Sequence, residues 1–136
     1  MKKMIFSCFL LIAGAATALA QSSPLTVTNN TNCAFEIELF NTEDGCGASC
    51  SVTICIPPGP GTMQVVNPCN PDWFWDRAIV TPTIDACTPC GSPSVGVASP
   101  NPTNCLGLPN SDNGIHCAGC GPYMVVFSSP TNLDLF

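Results

Sequence analysis

The stretch Cys33-Ala34-Phe35-Glu36-Ile37-Glu38-Leu39-Phe40 decides the fold class. Phe35, Ile37 and Leu39 share one side of an extended chain and Glu36 and Glu38 the other, the period of two that marks a half-buried antiparallel strand. Upstream, residues 25–28 form a short β-branched segment, closed by the turn formers Asn29, Asn30 and Asn32. Downstream, a polar, glycine-containing loop over 41–48 leads into a second strand at 51–56, with Val52, Ile54 and Ile56 inward. Pro57-Pro58-Gly59-Pro60-Gly61 stops it. Strand character resumes at 62–66, in the long aromatic and β-branched run 73–81, weakly at 94–98, and finally at 123–128 and 132–136. Residues 100–122 read mostly as loop. No segment sustains a 3.6-residue period beyond two turns. Seven or eight short strands punctuated by turn clusters predict an all-β, disulfide-rich antiparallel β-sandwich. An outer-membrane barrel is excluded, because Asn132 and Asp134 share the face of Phe136 that lipid would cover.

The first 20 residues have a different character. Lys2 and Lys3 form a basic start, an apolar stretch follows, and Ala18-Leu19-Ala20 is the small-residue pattern of a cleavage site. This predicts a removed secretory signal peptide over 1–20 and one disulfide-stabilised β domain over 21–136. The apolar stretch is short for a bilayer span, which needs roughly 20 residues, so no membrane insertion is expected after removal. The chain has no lysine beyond Lys3. Arg77 then stands as the one strong base against nine acidic residues, a net charge of −8 where the whole chain carries −6. Such a surface excludes nucleic acid as a partner, since phosphates are held by clustered Lys and Arg. A hydrophobic fraction of 46% with 9% charged residues also excludes disorder.

Cys8 leaves with the signal. Ten cysteines remain: Cys33, Cys46, Cys50, Cys55, Cys69, Cys87, Cys90, Cys105, Cys117 and Cys120. An even number in an exported chain predicts a disulfide framework whose connectivity the spacing leaves open. A second reading rests on Cys87-Thr-Pro-Cys90-Gly91 and Cys117-Ala-Gly-Cys120-Gly121, which resemble the paired knuckles of rubredoxins and zinc ribbons. That resemblance implies one zinc or iron held by Cys87, Cys90, Cys117 and Cys120. His116, beside Cys117, is a fifth candidate ligand by position, although a lone loop histidine is more often simply solvated. The bridged reading is favoured and no cofactor is expected, because export forces thiols to compete with oxidation.

Three further features carry chemistry. Trp73, Trp75 and Arg77 fall on one side of an ideal strand, and two indoles at that spacing can stack on successive sugar rings with Arg77 hydrogen-bonding beside them. The competing reading makes one Trp the core of the sandwich and pairs Arg77 with Asp76 or Glu38. The loops Asn41-Thr42-Glu43-Asp44-Gly45 and Asn110-Ser111-Asp112-Asn113-Gly114 have the oxygen-rich composition of Ca²⁺ loops, but lack the alternating ligand set and are expected to be structural turns. Catalysis is not expected: residues 21–136 hold one His and no Lys, and no base is set beside a nucleophile. The function expected is that of a secreted, non-enzymatic binding or surface-structural module for an extracellular glycan or protein. The alternatives are the metal–thiolate protein and a small protease inhibitor presenting a Pro-rich loop at 55–61 or 81–90.

Overall fold

A computed structural model describes residues 23–85, 87–100, 104–117 and 119–136. The export segment at 1–20, with Cys8, lies outside the described residues. Nine strands and no helix make up the described chain: β1 Leu25–Asn29, β2 Ala34–Thr42, β3 Ser49–Ile56, β4 Thr62–Val66, β5 Phe74–Thr83, β6 Val95–Ala98, β7 Ser111–His116, β8 Gly121–Ser129 and β9 Asn132–Leu135. They form two packed sheets, ordered β4-β1-β9-β8-β7 and β3-β2-β5-β6. All neighbours are antiparallel except β1 and β9, which run parallel.

The deciding stretch behaves as its alternation demands. Phe35, Ile37 and Leu39 are completely buried, while Glu36 and Glu38 are half-buried on the other face. β2 runs between β3 and β5. The opposing sheet answers with Leu25, Val27, Val125, Phe127, Leu133 and Leu135 in the same core. Ile56 is buried, and Val52 and Ile54 pack against the core as partly buried residues.

Two expectations are corrected. The first is the shared face of Trp73, Trp75 and Arg77. Arg77 lies opposite Phe40 and Trp75 opposite Asn41, so Asp76 is an extra residue, a β-bulge in β5. The bulge changes the phase of the alternation. Arg77 stays outward, its guanidinium 4.0 Å above the Phe40 ring, whereas Trp75 turns into the core with 1% exposure. Its indole N–H donates to the Ser23 carbonyl at 2.9 Å. Asp76 is buried too, accepting from Arg77 at 2.6 Å and from the Cys105 backbone N–H at 3.4 Å. Trp73 sits half-buried just before the strand. The three side chains therefore form no common sugar platform.

The second correction is β7, six residues of strand inside a segment expected to be loop. Gly114 explains how so turn-like a sequence holds an extended form. It lies opposite Tyr123 on β8, and the end of the Tyr123 ring occupies the space a side chain at 114 would need. The aromatic ring covers the glycine, a cross-strand pairing that compensates for the missing side chain.

The ten cysteines form five bridges: Cys33–Cys120, Cys46–Cys105, Cys50–Cys69, Cys55–Cys87 and Cys90–Cys117. Cys33–Cys120 ties the start of β2 to the β7–β8 turn and so fastens one sheet to the other. Five bridges fit an oxidising, extracellular type of environment. Among the described residues no helix is long and apolar enough to cross a membrane.

Candidate functional site

β6 and β7 are the edge strands of their sheets and lie on the same side of the sandwich. At one end the crossing chain joins them. The Ala98 N–H donates to the Pro109 carbonyl at 2.8 Å, the Asn110 amide donates to the Ala98 carbonyl at 3.1 Å, and the Phe127 N–H donates to the Asn110 carbonyl at 2.9 Å. Toward the other end the edges part and leave an open groove of about 310 Å³, with Pro93–Val95 on one wall and Asp112–Ile115 on the other.

Antiparallel geometry determines what the β7 wall offers. Met124 exchanges both backbone hydrogen bonds with Phe136 at 2.9 Å, so its polar groups face away from β7. Asn113 lies opposite Met124. By the alternation of the ladder, Asn113 directs its own N–H and C=O to the open edge, as do Ser111 and Ile115. Pro122, which has no N–H, lies opposite Ile115, where no ladder donor is needed. The Asn113 N–H is held meanwhile by the Asp112 carboxylate at 2.8 Å.

Behind Gly114 lies the Tyr123 phenol. Tyr123 is 3% exposed and its ring packs on Phe35, with centroids 4.9 Å apart. Its hydroxyl has no hydrogen-bond partner. Burial, reinforced by the negative charge of Asp112, pushes this phenol up from 10.0 to about 12. An unpartnered buried hydroxyl is costly, on the order of 1–3 kcal/mol. On the opposite wall the Ser94 hydroxyl is shared with Thr81 at 2.8 Å.

The other expected sites take different places. Glu43 is bound into its own loop, its carboxylate accepting from the Ala48 N–H at 2.8 Å and its carbonyl from the Cys46 N–H at 3.2 Å. Gly45 and Cys46 take positive φ there, so 43–46 is a turn. The second acidic loop is β7 itself. The two C-x-x-C units do not assemble as one four-sulfur set: Cys87 is bonded to Cys55, Cys120 to Cys33, and Cys90 to Cys117, the one bridge between the units. His116 is the last residue of β7, 4% exposed, with Nε2 3.0 Å from the Ala34 carbonyl and its ring edge-on to Phe35. The groups Cys33, His116, Cys120 and Cys90, His116, Cys117 do come within ligand spacing of one another, but their sulfurs are shared in disulfides.

Of the groove residues, the sequence reading singled out Asp112, Asn113 and Gly114, as parts of a turn, and passed over Pro93, Ser94, Val95 and Ile115 as sites. Comparison of the chain with protein-family models, with curated proteins and with solved structures finds no match.

Proposed function

We propose that this protein is a secreted, non-enzymatic binding module whose ligand site is the groove between β6 and β7, facing an extracellular glycan or protein segment. The observation that carries this reading is the open backbone edge of β7, which stands across the groove from Pro93–Val95. The groove offers the Asp112 carboxylate and the edge-facing backbone groups of Asn113 and Ile115. Polar groups converging in one concave place suit recognition. Chemistry would need a nucleophile with a base to activate it, and neither a serine–histidine nor a lysine arrangement lines this groove. Cys90–Cys117 ties the chain ahead of β6 to the residue after β7, a covalent link between the two walls that lowers the ordering cost of binding. The test is a titration of isotope-labelled protein with soluble oligosaccharides and with extended peptides, read at the amides of 112–115. A ligand that moves them saturably and loses affinity in Asp112→Asn supports the reading. If no member of either class moves them, the groove is not a site.

One observation favours a second reading, the inhibitor. Ile84 stands 65% exposed at the start of the loop after β5. Its N–H donates to the Thr88 carbonyl at 2.9 Å, Thr83 bridges to Pro89, and Cys55–Cys87 and Cys90–Cys117 clamp the base. A stiff loop presenting one apolar side chain is the shape a protease cleft accepts. Inhibition of an extracellular protease at micromolar concentration, abolished by Ile84→Asp, would favour this reading over the groove.

A further inference from the structure

We infer that the ligand of the β6–β7 groove is an extended polypeptide segment that adds to β7 as a sixth strand, with basic side chains alternating with apolar ones. The inference rests on the proposed role of the groove and names the chemistry of what fills it. Ser111, Asn113 and Ile115 turn their backbone groups to the open edge, a ready template for strand addition. β7 carries neither lysine nor proline that would block such pairing.

The two faces of β7 then select side chains. Asp112, Gly114 and His116 belong to the inner face, since they lie opposite the buried Val125 and Tyr123 and the turn residue Gly121. Alternate side chains of an added strand therefore enter the groove, toward the Asp112 carboxylate that lines it. A lysine ammonium suits that carboxylate, to which it donates a charge-assisted hydrogen bond. The Asn113 N–H, now held by Asp112, passes to a carbonyl of the incoming strand and releases that carboxylate for the cation. The remaining side chains lie on the outer face. Here Ile115 is 71%, Phe136 54% and Met124 38% exposed, with Met124 and Phe136 paired by backbone hydrogen bonds. Such an apolar cluster fits aliphatic neighbours across the new pairing. Charge complementarity points the same way. Arg77, the one strong base among the described residues, is already bound to Asp76, so the surface repels acidic segments and attracts basic ones.

The experiment uses the oxidised protein and a soluble octapeptide alternating lysine with valine, followed by the amide signals of 111–115. Saturable shifts are expected. Exchanging the lysines for glutamates, or methylating alternate peptide nitrogens, should abolish them. Asp112→Asn should weaken binding about three- to tenfold. Ile115→Pro, which removes an edge donor not used by β8, should weaken it at least tenfold, while Ile115→Thr keeps the donor and should stay within about threefold. The inference is overturned if the methylated or the glutamate peptide binds as well as the parent. It is also overturned if shifts appear without peptide and grow with protein concentration, which would assign the edge to a second copy of this chain. Shifts with chitotetraose but none with the peptide would overturn it and leave the groove as a glycan site; shifts with neither would remove both readings.

Discussion

Tyr123 is the residue on which the packing behind β7 turns. It is the single tyrosine of the chain, so an ultraviolet titration reads it without overlap. Its phenol should ionise near 12 in the folded protein and near 10 once unfolded. The fold holds the neutral form, so this group's contribution to stability is complete below about pH 10 and is lost as the pH rises toward 12. Rapid-mixing absorbance between pH 9 and 12.5 checks this, and a folded-state midpoint at 10 would remove the burial argument. Asp112→Asn should bring the midpoint down, though burial as the larger cause keeps it above 10. Gly114 is the counterpart. A methyl group there would run into the Tyr123 ring, so Gly114→Ala should destabilise by about 1–3 kcal/mol, measured by urea unfolding. If Tyr123→Leu restores most of that loss, the ring is the cause.

At the scale of elements, β5 shows how one inserted residue reassigns a face. Its bulge buries both Trp75 and Asp76. The Asp76 carboxylate then serves Arg77 across the strand and the Cys105 backbone N–H in the crossing chain. Asp76→Ala should therefore cost about 1–3 kcal/mol and loosen 104–110, visible as faster amide exchange at Cys105. Exchange unchanged from the wild-type rate would mean that the bulge is held by Trp75 packing alone. Strands with clean alternation, β2 above all, were legible from residue order, because the period of two is set by each strand's own side chains. The bulge was not, because it depends on how β5 meets β2 at Phe40 and Asn41. β7 was hidden for a related reason. Ser111, Asp112, Asn113 and Gly114 all favour turns locally, and their extended form comes from pairing with β8 and from the Tyr123 ring over Gly114. The candidate site was the least legible part, since it is made from the edges of two different sheets, whose approach no spacing reveals.

For the molecule as a whole, the bridges differ in what they close. Cys33–Cys120 spans 87 residues and Cys50–Cys69 spans 19. Loop-closure entropy ranks them, with removal costing about 4–5 kcal/mol for the first and about 3 for the second. Paired Cys→Ala variants should lower the urea midpoint in that order. A free-thiol count near zero on unreduced protein, rising to ten after denaturing reduction of residues 21–136, checks the framework itself. Four free thiols bound to stoichiometric zinc or iron would reinstate the knuckles. The parallel contact of β1 and β9 has a consequence in time. β9 sits between β1 and β8, so a polypeptide made from its amino end holds two unmatched portions of this sheet, β4-β1 and β8-β7, until 132–135 have emerged and paired with both. A product truncated before Asn132 is left with the facing edges of β1 and β8 unpaired, a species for proteolysis rather than a smaller working protein.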